Sequence, residues 1–154
     1  MAAPQVDFYV LQGATEDGLP LLACRLVDKA YGAGQPVCVY DPDAGALESL
    51  DARLWTFADG SFIPHERVDG TAADCEAPVA LVAERPPAAL PRRILINLAA
   101  GIPDFAAEFE RVIELVDEEP LRRERGRERF RAWRRQGVEP RTHNVGTGRG
   151  AAND

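Results

Sequence analysis

At 154 residues the chain has room for one domain, long enough to bury roughly 68–70 % of its unfolded surface. A hydrophobic share of 45 % with 28 % charged residues is that of a globular protein, and no run approaches the ~18–20 apolar residues of a membrane span. The start, MAAPQVDFYV, lacks the basic head of a signal peptide, so a cytoplasmic protein is expected. The net charge of −7 hides an asymmetry. Residues 122–135 hold eight arginines against Glu124 and Glu128, a balance of +6, and the remainder of the chain stands at −13. A basic rod on an acidic body points to an acidic partner.

In chain order, residues 6–11 (VDFYVL) form a β-branched and aromatic run that predicts a first strand. Asp17 is placed to cap a helix with Pro20 in its first turn, and Leu22, Leu26 and Ala30 recur on one stripe, with Leu19 and Val27 beside them. Gly32 and Gly34 supply its stop. Residues 37–40 read as a second, buried strand. Asp41-Pro42 predicts the start of the next helix, where Leu47, Leu50 and Leu54 lie at i, i+3, i+7 and Trp55 closes it. A β-α-β-α opening argues for a parallel or mixed sheet covered by helices.

A turn at Asp59-Gly60 leads to the extended apolar piece Ser61-Phe62-Ile63-Pro64-His65, and residues 66–78 read as a surface loop. Two further strands are expected at 79–82 and 94–98. Pro103-Asp104 opens a short helical turn. Residues 109–116 (FERVIELV) alternate as a strand, although their length also allows a helix. Glu118 and Glu119 stand at the N-terminus of the arginine helix, where the macrodipole favours negative charge, and Gly137 ends it. The tail from Gly146 (GTGRGAAND) has the composition of a disordered segment.

Several chemistries lack their residues. The turn after the first strand, Gln12-Gly13-Ala14-Thr15, is not the G-x-G-x-x-G that brings backbone amides to a pyrophosphate, and no Walker loop is present. Serine occurs only at Ser49 and Ser61, neither in a nucleophile elbow. Neither His65 nor His143 has a cysteine or carboxylate at motif spacing, and both read as structural. Cys24, Cys38 and Cys75 show no metal-ligand spacing; the first two lie in apolar segments as small buried hydrophobes. Asp41 and Asp43 could in principle ligate a metal, but capping explains Asp41 without one, and Asp104 likewise starts a helix. The expectation is an α/β scaffold without a cofactor, a metal or a catalytic centre. An unrecognised hydrolase would need a carboxylate cluster that the sequence does not display.

On a helix, the spacings of three, four and seven bring Arg123, Arg127, Phe130 and Arg134 to one face, with Arg131 flanking. Guanidinium forks beside an aromatic surface can hold carboxylates bidentately. Three readings stay open on the residues alone. The arginines could form a solvated face that compensates Glu110, Glu114 and other acids. They could bind nucleic-acid phosphates, against the repulsion of the acidic body. Or they could hold an acidic peptide and its terminal carboxylate.

Five stretches in order then carry a resemblance: Leu50-Asp51-Ala52-Arg53-Leu54-Trp55, Ser61-Phe62-Ile63-Pro64-His65, Ile94-Leu95-Ile96-Asn97-Leu98, Phe109-Glu110-Arg111-Val112-Ile113-Glu114 and Arg127-Glu128-Arg129-Phe130-Arg131-Ala132-Trp133-Arg134. Together they resemble the chi subunit of bacterial DNA polymerase III, a clamp-loader component, over residues 6–143. The resemblance implies a single three-layer, Rossmann-like α/β domain over residues 1–143, a mixed sheet flanked by helices without a nucleotide-binding loop, followed by a tail at 144–154. It also implies a noncatalytic DNA replication adaptor that binds the acidic C-terminal tail of single-stranded DNA-binding protein, meeting DNA indirectly and no membrane. Tail-binding positions fall on Arg123, Arg127 and Arg131, an aromatic wall on Phe130, and a further pocket contributor on Trp55. Phe62 and Pro64 match a surface associated with the psi subunit. Phe130 stands where the family often has tyrosine, and the family's lysines are arginines here, which keeps charge but changes geometry. The alternative is a module that binds nucleic acid directly through the same helix.

Overall fold

The computed structural model describes residues 3–58, 62–68 and 77–146. In chain order its elements are β1 (Gln5–Leu11), α1 (Gly18–Gly32), β2 (Val37–Tyr40), α2 (Ala44–Thr56), β3 (His65–Arg67), β4 (Val79–Val82), β5 (Ile94–Asn97), a 3-10 turn (Ala106–Glu108), β6 (Arg111–Val116), α3 (Pro120–Arg135) and β7 (Arg141–Val145). The strands form one seven-stranded sheet in the order β3-β4-β2-β5-β6-β1-β7. Every pairing in it is parallel, so the β-α-β-α pattern is realised in its parallel form and the expected mixed sheet is corrected: no strand pairs antiparallel among the described residues.

A parallel sheet covered on both faces needs strands that are apolar on both sides. β4 (VALV) and β5 (ILIN) are buried at every residue. In the register, Val39, Leu81, Ile96 and Ile113 share one face, where Leu22, Leu26, Leu47, Leu50 and Leu54 of α1 and α2 cover them. Cys38, Ala80, Leu95, Val112 and Phe8 share the other face, beneath Phe105, Phe109, Trp133 and Val138. The result is three layers, with α1 and α2 on one side and α3 with the 3-10 turn on the other. Cys24 and Cys38 are buried, as their apolar surroundings suggested, and burial pushes the Cys24 thiol up to about 12. Cys75 and the Asp59-Gly60 turn lie outside the described residues.

Three local expectations are corrected. Asp17 does not cap α1 through its side chain; its carboxylate takes an ion pair from Arg53 at 3.0 Å. Helix α2 starts two residues later than Asp41-Pro42 suggested, because Asp43 is the cap and accepts from the amides of Gly45 and Ala46. Asp41 accepts instead from the Asp43 amide, an Asx turn that leads into the cap. Third, Glu66 and Arg67 belong to β3 rather than to a loop.

β7 had no hydrophobic signature, since its sequence is RTHNV. It is an edge strand held by charge. Asp7 on β1, fully buried, receives Arg141 at 2.9 Å and has His143 Nε2 at 2.9 Å, both from β7, while Arg111 of β6 donates at 2.8 Å. Burial works to raise the Asp7 carboxyl, but hydrogen bonds from His143, Gln5, Arg141 and Arg111 outweigh it and hold it well below the ordinary carboxylate range. The strand runs to Val145, two residues past the boundary drawn at 143; residues 147–154 of the expected tail lie outside the described residues.

Candidate functional site

Helix α3 begins where the sequence places its acids. Glu119 is the cap, accepting from the amides of Leu121 (2.9 Å) and Arg122 (3.1 Å), and Pro120 occupies the first turn, where no donor is lost. These amide bonds lower the Glu119 carboxyl. Gly137 closes the helix with φ +87°.

The side of α3 that meets the sheet is Gly126, Arg129 and Trp133, spaced i, i+3, i+7. Gly126 lets the helix approach β6: a Cβ there would lie 2.7 Å from Val116 Cγ2. Below it, Glu114 of β6 is fully buried and satisfied from three directions. Arg129 Nε donates to Oε1 at 2.8 Å, the Trp133 indole N–H donates to Oε2 at 2.9 Å, and Asn97 Nδ2 donates at 3.1 Å. Arg129 spends its remaining donors on the Ala100 and Leu115 carbonyls. Burial pushes the Glu114 carboxyl up, and Arg129 with its fellow donors pulls against that rise. Two turns earlier, Arg122 forks onto buried Asp117 at 2.9 and 2.7 Å. These two arginines are structural: each neutralises a carboxylate that the sheet buries.

The Phe130 flank is different. Phe130 is half-buried and leans on Phe8 of β1, with ring centroids 5.2 Å apart. Around it Arg123, Arg127, Arg131 and Arg134 are exposed. Arg131 reaches Glu124 only at 3.6 Å and Arg134 reaches Glu139 at 3.5 Å, both open to solvent. Such exposed pairs are worth little and are readily exchanged. Among the described residues, Arg123 and Arg127 have no carboxylate within 4.0 Å. The arrangement offers unspent guanidinium donors beside an apolar wall, with no nucleophile or acid–base pair. Among the described residues no group of three His, Cys, Asp or Glu is placed to hold a metal.

Trp55 does not join this face. It sits at the end of α2, on the opposite side of the sheet from α3 and near edge strand β3, which is six strands from β7 in the order. There its ring stands 5.5 Å from Phe62 and 4.2 Å from His65. His65 is wedged between the Ile63 carbonyl and the Asp51 carboxylate, 2.7 Å from each, which makes it a structural histidine. Trp55 is 44 % exposed and Phe62 71 %, with Pro64 partly buried beside them in sequence, so the two aromatics form an apolar patch of their own.

A basic helix with an aromatic wall on a parallel sheet and a separate aromatic patch at the far edge can be compared with known proteins. The family model described as DNA polymerase III chi subunit, HolC, matches residues 3–141. The DNA polymerase III subunit chi of Pseudomonas aeruginosa is 41 % identical over 141 residues, 92 % of this chain and 96 % of that one. The subunits chi of Haemophilus influenzae and Escherichia coli are each 31 % identical, covering 94 % and 82 % of this chain and 99 % and 88 % of theirs. The chain belongs to the DNA polymerase III chi subunit family. That makes it an accessory subunit of DNA replication, and the three-layer Rossmann-like architecture expected from the resemblance is the one observed.

Within this chi-family fold, the structure brings Arg123, Arg127, Phe130 and Arg131 together on one flank of α3 and sets Trp55 with Phe62 elsewhere. Sequence reading missed the buried Glu114–Arg129–Trp133–Asn97 cluster, because one arginine in a row of eight carries no mark of pointing inward. The available signal was the spacing of Gly126, Arg129 and Trp133, a small residue and a large aromatic on one stripe. The reading of the helix as compensation for body acids is therefore correct for Arg129 on Glu114 and does not describe Arg123 or Arg127.

Proposed function

We propose that the chain is a noncatalytic adaptor of the DNA polymerase III clamp loader, and that α3 clamps the acidic C-terminal tail of single-stranded DNA-binding protein. The observation that carries this reading is the pair Arg123 and Arg127, exposed beside half-buried Phe130 and without acidic partners among the described residues. Their inward neighbours Arg122 and Arg129 are spent on Asp117 and Glu114. An extended acidic peptide would supply the missing carboxylates and place an apolar side chain against Phe130. Arg131 gives up only a long surface pair to join them. The family resemblance supplies the identity of the peptide. Phe130 keeps the apolar wall and lacks the phenolic hydrogen bond of a tyrosine.

The Trp55–Phe62 patch, with Pro64, is the surface for a second partner in the same assembly, the psi subunit or its place in the clamp loader. Exposed aromatics in contact with each other are the usual anchors of such interfaces, and this patch lies across the sheet from α3, so both partners can be held at once.

The test is titration of the full chain with a peptide ending in an acidic run and a terminal Phe, with the same peptide amidated, and with a single-stranded oligonucleotide at equal salt. The reading expects micromolar or weaker binding of the free-acid peptide, falling with added salt, and a marked loss on amidation. Equal binding of the amidated peptide would remove the carboxylate clamp. Tight oligonucleotide binding with no peptide binding would replace this reading by a direct nucleic-acid module.

A further inference from the structure

Arg123, Arg127, Arg131 and Arg134 share the Phe130 flank of α3, but the four guanidiniums are not equivalent. Among the described residues Arg123 and Arg127 have no carboxylate within 4.0 Å. Arg131 and Arg134 each face one: Arg131 Nη2 lies 3.6 Å from Glu124 Oε2, and Arg134 Nε lies 3.5 Å from Glu139 Oε1. All four side chains of these two pairs are more than half exposed. The structural pairs of the same helix are of another kind, Arg122 on Asp117 at 2.7 Å and Arg129 on Glu114 at 2.8 Å, with both carboxylates fully buried. Those have the length of charge-assisted hydrogen bonds; the pairs on the flank are longer and wet.

The two exposed acids border the arginine face toward each end of the helix. Glu124 precedes Arg131 by seven residues, so the pair reaches about 10 Å along the axis and both side chains lie along the helix surface. Glu139 stands in the turn between α3 and β7, directly after Val138, which is buried in the core cluster against which Phe130 packs. The other acids around α3 are engaged elsewhere. Glu114 and Asp117 are buried on Arg129 and Arg122, Glu119 caps the helix, and Glu128 lines the cleft on the opposite flank.

We infer, on the reading of α3 as the tail-binding helix, that Glu124 and Glu139 set the affinity of this face as internal carboxylates that occupy Arg131 and Arg134 until an acidic peptide displaces them. A peptide carboxylate meets Arg123 or Arg127 without any exchange. It meets Arg131 or Arg134 only by replacing a pair that already exists, and the displaced glutamate then stands beside it as a like charge. Each acid therefore weakens tail binding by about twofold to fivefold, the range of an exposed ion pair. Because both pairs are in solvent, the exchange needs no movement of the backbone and no opening of the core.

The experiment is calorimetric titration of the full chain with the free-acid peptide, an acidic run ending in Phe, at low and at high salt. The variants are Glu124→Gln, Glu139→Gln and Glu48→Gln, the last removing the same charge from an exposed position of α2 across the sheet. Glu124→Gln and Glu139→Gln should each bind about twofold to fivefold more tightly than the parent, with a gain that shrinks as salt rises and a thermal midpoint within about 1 °C of the parent. Glu48→Gln should bind as the parent does. In an Arg131→Gln background the gain from Glu124→Gln should be smaller, since no pair remains to be released. Unchanged or weaker binding in both Glu124→Gln and Glu139→Gln would overturn the inference, and a loss of affinity in Arg127→Ala alongside it would leave the tail-binding reading standing. An equal gain in Glu48→Gln would overturn it in favour of net charge alone. Absence of peptide binding in the parent and every variant would overturn both.

Discussion

Arg127 and Arg129 are two residues apart on the same helix and do opposite work. Arg129 is 7 % exposed, each of its three nitrogens donating to Glu114 or to a backbone carbonyl. Arg127 stands in solvent with no carboxylate near it among the described residues. A rotation of about 200° around the helix separates them, and that rotation turns the same side chain from a core strut into a solvent-facing donor. Charge density along a sequence therefore says where a basic element lies, and the buried stripe beneath it says which of its charges are available.

The comparison breaks most visibly at Arg129. Arg129→Ala leaves Glu114 buried with only Trp133 and Asn97 as partners, and should cost about 3–5 kcal/mol. In thermal unfolding that is a drop of roughly 10 °C or more; a variant as stable as the parent would show that the buried pair is not needed. Next in size is Gly126→Ala, whose new Cβ meets Val116 and must push α3 off β6. Denaturant unfolding should report a loss of about 1–3 kcal/mol, and a neutral result would mean the helix seat is looser than its contacts imply.

Acid sharpens the contrast from the sheet edge. The Asp7 carboxyl is depressed in the folded chain, so its contribution is fully present above the unfolded value near 3.8 and is lost as pH falls toward the lower folded value. Amide exchange in β7 should hold steady from neutral pH down to about 5 and accelerate, relative to the other strands, below about 4. Asp7→Asn should show that loosening already at neutral pH. If β7 stays protected in acid, the ion pairs of Arg141 and His143 are not what pins it.

Much of the fold was legible in the sequence because buried parallel strands and amphipathic helices leave strong apolar patterns. Residues 79–82 and 94–97 are apolar runs, and Leu22, Leu26, Leu47, Leu50 and Leu54 sit at core spacing. What escaped was held by charge. β7 is anchored through Asp7, and neither RTHNV nor a lone aspartate in an apolar strand announces a partner more than 130 positions away. The Phe130 flank was legible from spacing plus family likeness. The resemblance grouped Trp55 with it, whereas the structure sets Trp55 beside Phe62, on the other face of the sheet and toward the β3 edge, which the sequence pattern alone does not reveal.

The division of α3 is tested most directly by measuring Arg127→Ala for both peptide affinity and thermal unfolding. The account predicts that affinity for the free-acid tail peptide falls about tenfold or more, the loss of charge-assisted bonds worth roughly 1.5–3 kcal/mol, while the midpoint stays within about 1 °C of the parent. Undiminished affinity, or a fall in the midpoint comparable to that of Arg129→Ala, would contradict it.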